Sequence, residues 1–187
     1  MSENLYQEYF LDEMINGQIL FVPPHPTVNH NRVCGNIFRA FGNRLEGKGC
    51  EAFGGRTDVY LSEKDRVIPD VMIICNENII KEMGIYGVPD LVVEVLLPGT
   101  EKRDRCIKKN LYEKYGVKEY WLVNPETKSV EVYLLADQKL NLDEVYRIFP
   151  DYIRLSEAER ERYKTNVKVS LYDDLYIPLS VIFLNVK

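Results

Sequence analysis

Apolar positions along this chain change their period several times, and each change predicts an element. From Phe10 to Val22, two partly alternating apolar stretches flank Asn16-Gly17, the strongest short-range signal for a β-hairpin. Pro23-Pro24-His25-Pro26 then breaks regular structure. From about His30 to Glu46, Val33, Cys34, Ile37, Phe38, Phe41 and Leu45 recur at helical spacing, which predicts an amphipathic helix facing the core. Gly47 and Gly49 end it. Asp58 to Leu61 alternates as a short strand, and Ser62 to Arg66 forms a charged turn.

Two later runs are of another kind. Val67 to Cys75 is almost continuously apolar apart from Asp70, and Leu91 to Leu97 is so apart from Glu94. Such runs mark strands covered on both faces, and these two are the expected central strands. Pro98-Gly99 turns the chain and Thr100 can cap a helix from Glu101 to Tyr115, with Ile107, Leu111 and Tyr115 four residues apart and Gly116 closing it. Glu119 to Val123 and Ser129 to Leu135 flank Asn124-Pro-Glu-Thr-Lys128 as a hairpin. In the tail, Tyr146 to Ile153 reads as a strand, Ser156 to Glu159 as a capping box, Val167 to Tyr172 as an alternating strand and Leu179 to Phe183 as a short helix. Strands and helices alternate in the middle and hairpins occupy the ends. The expected class is therefore α/β (α+β), a mixed sheet with helices packed on it.

Length and composition narrow the picture without changing it. A chain of 187 residues fits one domain spanning 1–187, and 45% hydrophobic with 28% charged residues is an ordinary globular balance. No basic segment followed by an apolar run opens the chain, and no apolar run is long enough to span a bilayer, so a cytoplasmic protein without a membrane partner is expected. Cys34, Cys50, Cys75 and Cys106 lack any C-x-x-C pair and are expected to be reduced, mostly buried residues. The net charge of -5, from 29 acids and 24 bases, counts against tight, sequence-independent binding of nucleic acid. It does not count against a metal site, which needs clustered acids.

Asp70 and Glu94 carry the candidate chemistry. A carboxylate inside an apolar strand is costly unless it is paired, protonated or bound to a cation. If the two strands are neighbours, both acids can converge on one point that suits a hard divalent cation; the alternative is that each pairs with an arginine or caps a loop. On a helical wheel of about 100° per residue, Asp104 and Lys108 fall in the arc of Ile107, Leu111 and Tyr115. Lys108 is thus expected to point inward, with Lys102, Arg105 and Lys109 toward solvent. An inward lysine can orient a water or stabilise charge on a phosphate; equally it can pair with Asp104 within the helix.

The ordered set Pro69-Asp70, Gly87-Val-Pro-Asp-Leu-Val-Val-Glu94-Val-Leu, Thr100 with Asp104 and Lys108, Tyr112, and Gly116-Val-Lys-Glu-Tyr-Trp-Leu-Val-Asn-Pro125 resembles the Uma-type restriction endonuclease family of bacteria. That family lies within the PD-(D/E)XK nuclease superfamily, and the likeness runs from about Glu13 to Val167-Lys-Val-Ser-Leu-Tyr-Asp-Asp174. The resemblance implies a restriction-endonuclease-like core and hydrolysis of phosphodiester bonds in nucleic acid, foremost DNA, with Mg2+ or Mn2+. It implies that Asp70 and Glu94 hold the metal. The superfamily's lysine normally lies two residues after the second acid, where this chain has Leu96; Lys108 on the next helix takes its place. Glu13, His30 and Asp104 are further site residues on this resemblance. Leu97-Pro98-Gly99-Thr100 and Asn124-Pro125 depart from the family's Ser-Pro-Ser-Thr and Asp-Pro without removing a ligand. Trp121 and the tyrosines could stack bases, but most alternate within strands as core residues do. Exposed strands of the terminal hairpins offer edges for a homodimer. Two alternatives stand beside the nuclease: a nucleic-acid-binding module without turnover, and an interaction protein whose acids are structural.

Overall fold

Asn16 and Gly17 adopt φ values of 53° and 76°, the left-handed pair that a two-residue turn needs to match strand twist. They join β1 (Asp12–Ile15) to β2 (Gln18–Phe21) in antiparallel register. The computed structural model describes residues 12–21, 26–150, 153–157, 159 and 163–187. The expected strand start at Phe10-Leu11, the break at Pro23-Pro24-His25 and residues 151–152 of the Tyr146–Ile153 strand lie outside the described residues.

The predicted first helix is α1 (Val28–Leu45), started by the Thr27 side chain, which accepts a hydrogen bond from the His30 N–H. Val33, Ile37, Phe41 and Leu45 are buried as expected. Phe38 is not: it is 44% exposed and lies over Gly54 at the flank of the helix.

Among the described residues the strands form two six-stranded sheets and a two-stranded ribbon. The central sheet runs from β3 (Glu51–Gly54) through β6 (Val71–Ile74), β9 (Leu91–Val95), β10 (Glu119–Asn124) and β11 (Ser129–Ala136) to β12 (Lys139–Arg147). Only β9 and β10 pair in parallel there; the other pairs are antiparallel. The second sheet combines β1 and β2 with β5 (Asp65–Val67), β4 (Val59–Ser62), β8 (Gly84–Tyr86) and β7 (Ile80–Lys81). The mixed architecture expected from the sequence is present, with a second sheet added to it.

The Val67–Cys75 run is not one strand. Pro69 has no N–H for a ladder, so β5 ends at Val67 in one sheet and β6 begins at Val71 in the other. Asp70 therefore stands at the entrance of β6 rather than in mid-strand. The tail differs as well. The expected strand from Tyr146 is instead β12, which ends at Arg147 and returns from β11 through Asp137 and Gln138, both at positive φ (51° and 61°). Val167–Tyr172 contributes only β13 (Asn166–Lys168), which pairs with β14 (Tyr176–Pro178) ahead of the short helix α3 (Leu179–Ile182).

Strand alternation sends the central side chains to two cores. Val71, Ile73, Val93, Val95 and Trp121 pack with Val33, Ile37 and Phe41 of α1 and with α3. Met72, Ile74, Val92, Tyr120 and Leu122 pack on the opposite face against Leu111, Tyr112 and, from the second sheet, Ile15, Val59 and Val67. Each such aliphatic side chain is worth about 1.5–3 kcal/mol when fully buried, which holds β6 and β9 fast from both sides. Trp121, Tyr112 and Tyr120 are fully buried and so are not base-stacking surfaces.

The cysteines are not all reduced. Cys50 and Cys75 form a disulfide, because the β3–β6 register that pairs Glu51 with Ile74 sets the flanking cysteines side by side. Sequence spacing carries no trace of that pairing. Cys34 and Cys106 are free. No described helix is long and apolar enough to cross a membrane.

Candidate active site

The β6–β9 ladder pairs Val71 with Val93, and one further step of that register sets Asp70 against Glu94. The Asp70 side chain is held against β9 there, its Oδ2 accepting from the Val95 N–H at 2.7 Å. Glu94 lies on the same sheet face as Val92, the face covered by the helical segment after Thr100.

That segment is helical from 101 to 115, but Arg103–Lys108 is a π-helical turn leading into α2 (Lys109–Tyr115). Gly116, at φ 83°, closes it. A π turn is wider than an α turn and often marks a functional position. Its wider turn brings Asp104, Lys108 and Tyr112, four residues apart, onto the buried side, with Leu111 beside them. Ile107, expected inward, is 46% exposed for the same reason. Arg105, expected toward solvent, forks onto both carboxylate oxygens of Glu131 at 2.8 and 2.9 Å.

Lys108 Nζ reaches Glu94 Oε1 at 2.5 Å and Glu13 Oε1 at 2.9 Å. The Tyr112 hydroxyl donates to the same Glu94 oxygen at 2.7 Å. Glu13 arrives from β1 and is pinned by the Ile68 N–H, 2.9 Å from its Oε1. Its other oxygen, Oε2, is buried with no hydrogen-bond partner, and Arg103 Nη1 is 3.7 Å away. His30 Nε2 stands 3.4 Å from Asp70 Oδ2, while its Nδ1 is 3.5 Å from Cys34 Sγ. Thr100 donates to Asp104 Oδ2 at 2.9 Å.

Acids and bases crowd together in this cluster. Burial pushes the Glu94 carboxyl well above the usual glutamate range; Lys108 opposes this, and Asp70, Asp104 and Glu13 reinforce it. For Glu13 burial pulls the same way, but Lys108 and the Ile68 N–H outweigh it and hold the group below its usual value. Burial works to lower Lys108, yet Glu13, Glu94 and Asp104 together hold it above the ordinary lysine range. Asp104 is raised by burial against Lys108 and the Thr100 hydroxyl. His30 is raised because Asp70 overcomes the effect of burial. Lys108 is thus the shared cation of Glu13 and Glu94, and Glu94 is the acid whose charged form burial disfavours most.

All six residues singled out from the sequence, Glu13, His30, Asp70, Glu94, Asp104 and Lys108, line one cavity of about 390 Å³. Arg56, Arg103 and Cys34 line it too, and Tyr112 lies behind it. These four were not singled out for a role. The spacing held a signal for two of them: Tyr112 is one turn past Lys108, and Cys34 one turn past His30. Carboxylates of Glu13, Asp70, Glu94 and Asp104 line the cavity, and Glu13 Oε2, buried without a hydrogen-bond partner, is the kind of oxygen that a divalent cation completes.

A family model described as "putative restriction endonuclease", Uma2, matches residues 7–170. The chain belongs to the Uma2 family. An uncharacterized protein from Synechocystis is 30% identical to this Uma2 chain over 125 residues, 65% of the chain and 64% of that protein. The chain thus spans less than two thirds of that relative's length. Among solved structures, one titled a putative nuclease belonging to DUF820, from Anabaena variabilis, is 18% identical, with a TM-score of 0.65 over 92% of this chain and 89% of the other. That likeness shows the fold to be restriction-endonuclease-like. The type IIG restriction endonuclease BpuSI matches at 15% identity and a TM-score of 0.38, over 60% of this chain and 12% of that one. The Uma2 family is described as one of putative restriction endonucleases.

Proposed function

We propose that this Uma2 chain is a Mg2+- or Mn2+-dependent endonuclease that hydrolyses phosphodiester bonds in DNA. The observation that carries the reading is the buried acid at the cavity: Glu13, Asp70, Glu94 and Asp104 line it together, and Glu13 Oε2 is buried with no hydrogen-bond donor. Asp70 and Glu94 would hold the metal, with Glu13 completing the set. A divalent ion bound there would supply Lewis acidity toward a phosphate oxygen and toward a water.

Lys108 and Tyr112 both hold Glu94 Oε1, and Glu94 lines the cavity. Lys108 also keeps positive charge beside the place where charge grows on the phosphate. Arg56 and Arg103 on the cavity wall offer donors to the phosphodiester itself. They supply locally the positive charge that the chain as a whole lacks. Purified protein with Mn2+ is expected to nick or linearise plasmid DNA, and Asp70→Asn or Glu94→Gln to abolish this; cleavage that survives both changes contradicts the reading.

A further inference from the structure

One group of donors around the cavity is not accounted for by an oxygen-only metal site. His30, Cys34 and Asp70 each present a ligand atom, and the three atoms lie within 4.8 Å of one another. We propose that these residues form a second cation position, suited to a borderline-soft ion such as Zn2+ or Co2+ and sharing Asp70 with the Glu94 position. The shared use of Asp70 rests on the nuclease reading; the His30–Cys34 pair does not.

Geometry and chemistry both favour the assignment. Tetrahedral sites with bonds of about 2.0–2.3 Å place their ligand atoms roughly 3.3–3.8 Å apart. His30 already lies 3.4 Å from Asp70 and 3.5 Å from Cys34, through opposite ring nitrogens. One imidazole nitrogen lies within 4.8 Å of the ligand atoms of both neighbours. His30 and Cys34 are one turn apart on α1, the spacing by which a helix offers two ligands from one face. The helix is fixed there by the Thr27 cap and by Val33 and Ile37 in the core. The cavity gives an ion its way in and leaves coordination positions open to water. On binding, the Cys34 thiol gives its proton to solvent and its sulfur becomes a thiolate ligand. Sulfur with imidazole selects Zn2+ or Co2+, whereas Glu13, Asp70 and Glu94 offer oxygen alone and suit Mg2+ or Mn2+. The two positions therefore differ in the metal they prefer.

Co2+ titration of the full chain, without reductant so that the Cys50–Cys75 disulfide stays closed, reads the site directly. A sulfur-to-cobalt charge-transfer band in the near ultraviolet should rise and saturate, and Zn2+ but not Mg2+ should remove it. Cys34→Ser and Cys34→Ala should each lose the band with their thermal melts preserved, while Cys106→Ser, at the other free thiol, keeps it. His30→Asn should weaken cobalt binding by more than about tenfold. Glu94→Gln should keep the band even as it loses cleavage, so a failed nuclease reading and a failed cobalt site remain distinguishable. Absence of the band in the unmodified chain, or its persistence in a folded Cys34 variant, overturns the proposal.

Discussion

Glu119 and Glu94 are both fully buried glutamates on neighbouring strands of one sheet, and burial pushes both carboxyls above the usual range. Their surroundings differ. Glu119 Oε1 accepts from the Trp121 indole at 2.6 Å, and Oε2 accepts from the Ser170 N–H at 2.7 Å and its hydroxyl at 2.5 Å. Both oxygens are engaged by neutral donors that the fold holds in place. Glu94 has a lysine and a tyrosine crowded on one oxygen and lines a cavity shared with Asp70 and Glu13. Burying a carboxylate is therefore no sign of function by itself. Coordination capacity left over beside a cavity is the distinguishing feature, since an unsatisfied buried group costs about 1–3 kcal/mol, and more when charged, unless a ligand completes it.

The largest effect should come from exchanging each glutamate for its amide. Glu94→Gln is expected to reduce Mn2+-dependent plasmid cleavage by roughly 10²–10³-fold or more, whereas Glu119→Gln leaves it unchanged and instead lowers stability by about 1–3 kcal/mol in urea melts, because an amide N–H₂ then faces the Ser170 or Trp121 donors. Equal loss of cleavage in both variants would erase the contrast. Next, Lys108→Met strands Glu13 and Glu94 without their cation, and a loss of about 3–5 kcal/mol in the same melts is expected.

Tyr112→Phe frees Glu94 Oε1 of one donor without emptying the core. It should weaken Mn2+ binding by roughly 10–100-fold, as loss of an outer hydrogen bond to a metal ligand does, with calorimetry as the readout. The smallest effect concerns pH. The Glu94 carboxyl is raised in the folded chain, so its contribution to stability is full below the ordinary glutamate range and fades as pH rises through the raised folded value. Glu13, held low, behaves oppositely: its contribution is present above the ordinary range and fades as pH falls through the lowered value. A divalent ion takes the deprotonated Glu94. The rise in Tm caused by Mn2+ should therefore grow as pH rises through the raised Glu94 value in the wild type and grow less in Glu94→Gln.

Features governed by local chemistry could be read from the sequence. The Asn16-Gly17 turn, the α1 stripe and the inward aim of Lys108 each depend on residues within a turn or two. Asp70 and Glu94 stood out because a charge in an apolar run is conspicuous. Long-range features left no such mark. Glu119 sits at the start of a strand like any polar residue, and its burial depends on Ser170, 51 residues away. Glu13 joins Lys108 across 95 residues. The Cys50–Cys75 bond follows from a register that only the folded sheet defines. Pro69 was visible, but a continuous apolar run outweighed it; the missing N–H at Pro69 is what divides the run between two sheets and sets Asp70 at the cavity's edge. The turn at Asp137-Gln138 lacks the glycine or asparagine that would have announced it.

The central claim, that Asp70 and Glu94 form one metal position, is tested most directly by a crystal structure of the chain soaked in Mn2+ with anomalous scattering recorded. A manganese peak bonded to carboxylate oxygens of both Asp70 and Glu94, and lost in crystals of Glu94→Gln, is the predicted result. Saturating Mn2+ with no peak between those two acids would contradict it.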